Sequence, residues 1–312
     1  QWRENIAGYN CAYTVIDCPK AFAEVLYILM NGTGVGFSVE RQYVSKLPEI
    51  PELKETSSSV IVFEDSKLGW AEGYLKVLNL LYDGFIPVCD YSLIRPKGSM
   101  LKTFGGRASG PEPLKQLVDF TIKTFKNAQG RKLNSLEVYD IVCMIANTVV
   151  VGGVRRSATL SLSNLSDTRM RDAKQGEFWL ANPQRTLSNN SVAYTEKPDA
   201  KRFMEEWLAL MKSGTGERGI INREAMKKAC KAIGRDSEHE FGVNPCAEII
   251  LRPKQFCNLT EVVIRPNDDF EDLVEKVKAA TILGVLQSTL TDFTFLDEEW
   301  KKNVEEERLL GV

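Results

Sequence analysis

The sequence has one histidine among 312 residues, no C-x-x-C pair, no surplus of either charge and no long apolar run. Each shortage removes a class of chemistry. With only His239, a Ser-His-Asp triad, a Cys-His pair, a multi-His zinc site and a His proton shuttle would all have to share one residue. His239 lies in Asp236-Ser237-Glu238-His239-Glu240, a polar and solvated stretch. Any chemistry therefore falls to carboxylates, thiols, backbone or a cofactor, and no metal site is expected. Lys plus Arg number 40 against 42 Asp plus Glu, a net charge of -2. Such a balance gives no global basic field to gather nucleic acid or an anionic membrane. The longest apolar run, Ile141 to Val154, contains Asn147 and two glycines and is too short to span a bilayer. No charged-then-apolar leader opens the chain, and no repeat with a period of roughly 20 to 50 residues is found.

What is present is a globular composition, 43% apolar and 26% charged, enough for one large domain or two small ones with a sizeable core. The cysteines are Cys11, Cys18, Cys89, Cys143, Cys230, Cys246 and Cys257. An odd number without paired spacing fits neither a zinc ribbon nor a thioredoxin-type motif. Thiols that persist point to a reducing, cytoplasmic location, where they can do redox work. The chain begins at Gln1 and stops at Leu309-Leu310-Gly311-Val312, where an apolar strand is starting, so an excerpt from a longer protein is expected.

Short strands alternate with helices, the pattern of an α/β fold whose loops at one sheet end carry function. Asn10 to Asp17 reads as a strand with Cys11, Tyr13 and Val15 on one side. Pro19 opens a helix burying Phe22, Val25, Leu26, Leu29 and Met30, and Asn31-Gly32 ends it. Thr33 to Val39 is a Gly-rich strand. The series Gly32-x-Gly34-x-Gly36 follows a helix and leads into a strand, the reverse of a dinucleotide site, which favours close backbone packing. Leu47 to Ser59, rich in Pro, Glu and Ser, reads as a loop. Lys67 to Tyr82 reads as an amphipathic helix burying Trp70, Tyr74, Val77, Leu78 and Leu81. Further helices are expected from near Pro113, from Ser135 to about Ala146 and over Ala200 to Lys212. Strands are expected at Thr159 to Ser163, Ser191 to Tyr194 and Gly219 to Asn222.

Two loops have ligand-binding composition. Gly105-Gly106-Arg107-Ala108-Ser109-Gly110-Pro111 precedes a helix, where small residues and an arginine can cradle a phosphate; an ordinary N-terminal Pro turn explains it equally. Gly152-Gly153-Val154-Arg155-Arg156-Ser157-Ala158 joins two glycines that admit a ligand to two arginines that donate to phosphate or base edges, with a solvated turn as the alternative.

The segment Asn244-Pro245-Cys246-Ala247-Glu248 puts an amide, a thiol and a carboxylate at alternate positions, on one face if the backbone is extended. Cys257-Asn258-Leu259-Thr260-Glu261-Val262 then begins another strand-like run with a second thiol. A buried cysteine is ordinarily plain core, but polar groups this concentrated do not suit a core strand. With NCAYTVID, GTGVGF, FGGRASGP, GGVRRSA, SNNSV, NPCAEI and FCNL in that order, the whole chain resembles the large catalytic subunit of ribonucleotide reductases.

That resemblance implies a ten-stranded α/β barrel of two five-stranded halves. Residues 1–312 would form mainly the first half, a finger loop over 240–257, and the start of the second half. It implies that Cys246 becomes a thiyl radical, flanked by Asn244 and Glu248, and that Cys11 and Cys257 are the reducing pair. The thiyl would take the 3'-hydrogen of the ribose, Glu248 would accept the 3'-hydroxyl proton and Asn244 would hold the sugar. Loss of the 2'-hydroxyl as water needs two electrons, which a dithiol closing to a disulfide supplies. Cys18 is the rival for Cys11, at opposite strand parity and beside a helix-opening Pro. Glu248 is expected to be desolvated in a water-poor barrel, with a raised pKa.

Pro245 in N-P-C is similar to the adenosylcobalamin-dependent class, and FEDSKLGW, DYSLIRPKG and LKTFGGRASGP to its monomeric triphosphate-reducing branch. In that branch an insertion, here 39–101, stands in for a dimer contact at the effector site. Gly105, Gly106, Arg107, Ser109 and Gly110 would then touch a deoxynucleotide effector. Gly152, Gly153, Arg155, Arg156, Ser157 and Ala158 would report effector identity to the substrate base, and Asn10 is a candidate for the substrate's phosphate or sugar. The implied partners are a ribonucleoside triphosphate, a dNTP effector and thioredoxin or a similar dithiol, with no nucleic acid and no membrane. Two alternatives remain: a metal-radical diphosphate reductase of the same family, and a non-catalytic nucleotide-binding half that complements another chain. Alone, the chain is expected to be inactive, a half-barrel with an unpaired sheet edge.

Overall fold

The computed structural model describes residues 4–101, 106–150 and 157–312. β1 (Cys11–Val15) alternates as its sequence requires: Cys11, Tyr13 and Val15 join one apolar cluster and Ala12 joins another. Both faces are buried, as a parallel sheet needs. α1 (Pro19–Met30) opens on Pro19, whose fixed φ suits a first helical position and whose missing N–H is no loss there. It is buried continuously from Ala21 to Leu29, so it fills the core instead of covering it. β2 (Gly34–Ser38) returns parallel to β1, and α2 (Arg41–Val44) follows.

β3 (Lys54–Val62), α3 (Lys67–Tyr82) and β4 (Phe85–Asp90) form a β-α-β unit with its own two-stranded parallel sheet. α4 (Glu112–Asn127) and α5 (Ser135–Val150) pack together, and α1 lies against α3 and α5. β5 (Thr159–Asn164), α6 (Thr168–Arg171), α7 (Phe178–Ala181), β6 (Ser188–Tyr194), α8 (Ala200–Ser213), β7 (Gly219–Asn222) and α9 (Arg223–Ala232) continue the chain. A short hairpin, β8 (Gly242–Val243) and β9 (Ile250–Leu251), precedes β10 (Gln255–Leu259), α10 (Phe270–Gln287), α11 (Glu298–Glu306) and β11 (Leu309–Gly311).

Among the described residues the main sheet has seven strands in the order β11-β10-β1-β2-β5-β6-β7. β1, β2, β5, β6 and β7 run parallel to their neighbours. β10 and β11 are parallel to each other, and β10 meets β1 antiparallel. The sheet is thus one parallel half-barrel of five strands with the start of an opposed second half, as expected. No helix among the described residues is long and apolar enough to cross a membrane.

Three elements differ from the sequence reading. The presumed loop at 47–59 contains the first part of β3, because pairing with β4 overrides its Ser-rich composition; the register slips between Glu55 and Val60. α5 continues past Ala146 to Val150 instead of ending there. The Thr148 hydroxyl donates to the Met144 and Pro113 carbonyls, so the helix accommodates this residue in its last turn. β6 begins at Ser188, three residues early, because Ser188 already pairs with Thr159.

Candidate active site

The strand register places two thiols side by side. Cys11 on β1 is the direct partner of Cys257 on β10. Antiparallel partners have Cα atoms about 4.5–5.5 Å apart, inside the window of roughly 4.4–6.8 Å that a disulfide needs. Both are buried and present as thiols. A hydrogen bond from one thiol to the other, then burial, holds Cys257 well above the ordinary thiol range, so it keeps its proton at neutral pH. Cys18 caps the start of α1, beyond the end of β1, and is not opposite Cys257. Behind the pair, Phe256 packs its ring on Tyr9, Phe293 and Trp300, with centroids 5.1, 5.0 and 4.6 Å away. This aromatic wall fixes β10 from the rear.

The β8–β9 hairpin carries the remaining candidates. It lies against the β1–β2 face, and glycines make the approach possible. A Cβ on Gly36 would stand 1.8 Å from the Val243 carbonyl oxygen, and one on Gly34 would be 2.9 Å from Cγ of Pro245. The close-packing reading of this glycine series therefore holds.

At the tip the backbone is not extended. The Ala247 N–H donates to the Asn244 carbonyl at 3.0 Å, closing a turn over Pro245 and Cys246, and Ala247 takes a left-handed φ of 68°. Simple strand alternation is therefore not what gathers the polar groups. Asn244 gathers them instead. It is fully buried, and its Nδ2 donates to Glu248 Oε1 at 2.8 Å and to Cys11 Sγ at 3.4 Å. Its Oδ1 accepts from the Ile249 N–H at 3.0 Å. One amide thus links the hairpin's carboxylate to the dithiol.

Cys246 and Glu248 are both exposed. Glu248 was expected to be desolvated in a water-poor barrel; in this chain its side chain is exposed, with Asn244 Nδ2 donating to its carboxylate. Its charge nonetheless reaches the dithiol, since it adds to the upward push on Cys257.

Of the loop candidates, Ala158 lies beside Gly34, the glycine that also faces Pro245. Gly105, Gly152, Gly153, Arg155 and Arg156 fall outside the described residues. Ser157 donates to the Ala146 carbonyl at 2.7 Å, and the Ala158 carbonyl accepts from Val35, which leads the chain into β5 beside β2. Gly106, Arg107, Ser109 and Gly110 form a turn clasping residues 98–101 ahead of α4: Ala108 donates to Ser99, and Arg107 Nη1 to the Gly98 carbonyl at 3.0 Å. Asn10 uses its side-chain carbonyl to accept from the Leu259 N–H at 2.8 Å, extending the β1–β10 ladder.

Sequence reasoning missed the base of the hairpin. Arg223, the first residue of α9, is fully buried, donates to the Phe241 carbonyl at 2.8 Å, and forks onto both oxygens of buried Glu40 at 3.0 and 2.7 Å. Nothing local in the sequence marks this pair, whose members stand 183 positions apart.

Comparison with known proteins bears on this geometry. The model of the ribonucleotide reductase barrel domain matches residues 89–312. The chain belongs to the ribonucleotide reductase family. Among curated relatives, the adenosylcobalamin-dependent ribonucleoside-triphosphate reductase of Lacticaseibacillus paracasei is 32% identical over 296 residues, 81% of this chain and 39% of that protein. The like-named protein of Levilactobacillus brevis is 30% identical over 331 residues, 91% of this chain and 43% of the relative. The chain therefore spans about two-fifths of the length of these ribonucleotide reductases. A crystal structure of a B12-dependent, class II ribonucleotide reductase superposes with a TM-score of 0.68 at 24% identity. It covers 80% of this chain and 42% of that one, a likeness of fold.

Proposed function

We propose that this chain supplies the radical cysteine, the general base and the reducing dithiol of an adenosylcobalamin-dependent ribonucleoside-triphosphate reductase that makes 2'-deoxyribonucleoside triphosphates for DNA synthesis. The observation that carries the reading is the single buried amide of Asn244, bonded at once to Glu248 and to Cys11, with Cys11 in register with Cys257. A fold-filling hairpin has no need of a thiol pair and a carboxylate converging on one amide.

In this reading Cys246, as a thiyl, takes the 3'-hydrogen of the ribose. Glu248 accepts the 3'-hydroxyl proton, and its exposure leaves it open to an incoming sugar. Asn244 holds the sugar while keeping Glu248 aimed. The 2'-hydroxyl then leaves as water. Cys11 and Cys257 deliver two electrons and two protons and close to a disulfide, while Glu248 returns its proton and Cys246 returns the 3'-hydrogen and is left again as the thiyl, so the ribose is reduced and the dithiol oxidised in balance. The high pKa of Cys257 suits a thiol that must arrive at this step still carrying its proton. Thioredoxin or a similar dithiol would reopen the disulfide.

Adenosylcobalamin, for which the relatives are named, supplies the initiating hydrogen abstraction when bound. The exposure of Cys246 at a hairpin tip fits such an approach. Residues 39–101 are read as the effector-site insertion, consistent with the separate β3–β4 sheet, and 240–257 as the finger loop. The 105–110 turn would contact a dNTP effector and 152–158 would pass its identity to the substrate base. A cytoplasmic setting follows from the need for reduced thiols.

The test is dithiol-driven reduction of labelled ribonucleoside triphosphates by the full-length gene product, with adenosylcobalamin as the only added initiator. Product in the wild type and none in Cys246→Ser is expected. A requirement for a separate metal-bearing subunit would move the protein to the metal-radical class. Absence of turnover under either condition would leave a nucleotide-binding role.

A further inference from the structure

The Cys246 hairpin is short, two residues paired with two, and its tip is held by side-chain bonds of one asparagine. Such an element has little intrinsic stability in isolation. What fixes its direction must therefore act at its base. There the chain enters the hairpin through Phe241, whose carbonyl accepts from Arg223 Nε at 2.8 Å. The same guanidinium forks onto Glu40, both side chains being fully excluded from solvent, and touches Glu240 at 3.3 Å. Glu40 is itself oriented: Ser38 Oγ donates to its Oε2 at 2.8 Å, and its own N–H donates back to Ser38 Oγ at 3.1 Å. Gln42 Nε2 adds a bond to Oε1 at 3.0 Å.

The topology gives these bonds a purpose beyond adhesion. Glu40 lies just after β2 and Arg223 just after β7, with β5 and β6 between those strands. Strands lie about 4.8 Å apart, so a flat sheet would separate β2 and β7 by roughly 14 Å. The pair is a chord across the curl of the half-barrel, and Phe241 hangs from its middle. Gly242, the next residue, rests on Tyr13, where a Cβ would come 2.0 Å from Cζ of the ring, and the phenol of Tyr13 is itself within the influence of Ser38, Glu40 and Arg223. The base of the hairpin is thus held at two successive residues, the Phe241 carbonyl by the guanidinium and Gly242 by the Tyr13 ring.

We propose that Arg223 and Glu40 are positioning residues that aim the Cys246 hairpin from its base, coupling the direction of the radical cysteine to the curl of the sheet. The inference rests on the reading of Cys246 under Proposed function. A buried pair held only for stability is replaceable by apolar side chains of similar volume, often at no loss. A pair that aims a hairpin is not, because Met can donate nothing to the Phe241 carbonyl.

The experiment uses the full-length protein with Arg223→Met/Glu40→Met, which removes both charges, and Arg223→Lys, which keeps the charge but loses the planar fork. Hydrogen exchange is followed by segment, alongside steady-state kinetics. The proposal expects amides of 242–251 to exchange at least about tenfold faster in both variants, with β1, β2 and β5 unchanged. It expects kcat to fall by about tenfold or more with KM for the triphosphate nearly constant, the mark of a group lost in the transition state and not in binding. Unchanged hairpin exchange in both variants, or hairpin and sheet exchange rising together, would overturn it. Were the wild type to lack reductase activity, the function reading would fail while the exchange pattern still decided whether the pair aims the hairpin.

Discussion

The two thiol sites on this half-barrel are held in opposite ways. Cys257 belongs to a sheet: its partner is set by strand register, its rear by four packed aromatic rings, and its proton by the neighbouring thiol. Cys246 stands exposed on a turn whose geometry depends on one asparagine, two glycines beneath it and one arginine at its base. The difference matches the two tasks proposed. A dithiol that closes to a disulfide gains from a separation set once by backbone pairing. A radical thiol has to be reached by its initiator and then meet the sugar, which suits an open tip directed from below.

The sharpest way to break the comparison is at the contact between the two regions. Gly36→Ala drives a methyl into the Val243 carbonyl, and backbone cannot step aside as a flexible side chain can. The hairpin is expected to lift from the sheet, with turnover of the full-length protein lost and stability lowered by about 1–3 kcal/mol. Denaturant unfolding and the activity assay check this together; full activity in the variant would mean that the hairpin does not need its seat on β2.

Asn244→Ala is expected to have the next largest effect. It strips the Ile249 N–H of its acceptor and Glu248 of its donor, at a cost of roughly 1–3 kcal/mol in a partly buried setting. Exchange of the hairpin amides should quicken while the Cys11–Cys257 register stays intact. Oxidation of purified variant should still yield that disulfide, and its loss would show that the sheet does not position the pair unaided.

The smallest effect on turnover should come from a change on the sheet side alone. Glu24, buried on α1, accepts from the Asp297 N–H at 2.8 Å and from Trp300 Nε1 at 3.1 Å, and Trp300 packs on Phe256 beside Cys257. Burial, then the charge of Asp297, raises its pKa from 4.5 to about 7. A carboxyl with a raised folded pKa contributes stability that is complete below its unfolded value and is lost as pH climbs through 7. The loss amounts to up to about 3 kcal/mol, at 1.36 kcal/mol per unit. Melting of Glu24→Gln should therefore show a flatter stability profile between pH 5 and 8 than the wild type; parallel profiles would remove Glu24 from the account.

How much of this was legible in the sequence follows the range of each interaction. β1, α1, β2 and α3 were readable because their apolar period and their end signals are local. β3 was not, because its pairing with β4 lies beyond a helix and its serines argue for a loop. The N-x-C-x-E cluster was legible as a set of groups, but its shape was not: the turn at Ala247, with a positive φ in a non-glycine residue, leaves no compositional trace. The facing of Cys11 and Cys257 came from the family resemblance, since register across 246 residues has no local signature. Arg223 and Glu40 had none either, each looking like an ordinary charge at an element's end. Arg155 and Arg156 lie outside the described residues, and their roles stand as proposed.

The central claim is that Cys246 starts a reduction that Cys11 and Cys257 complete. Its most direct measurement is a single turnover of the full-length protein, pre-reduced and then freed of external dithiol, with labelled ribonucleoside triphosphate and adenosylcobalamin, followed by peptide mapping of disulfides. The account predicts deoxynucleotide together with a Cys11–Cys257 disulfide in the wild type, and neither in Cys246→Ser. Deoxynucleotide formed by the Cys246→Ser variant, or product in the wild type with Cys11 and Cys257 both still reduced and no reductant present, would contradict it.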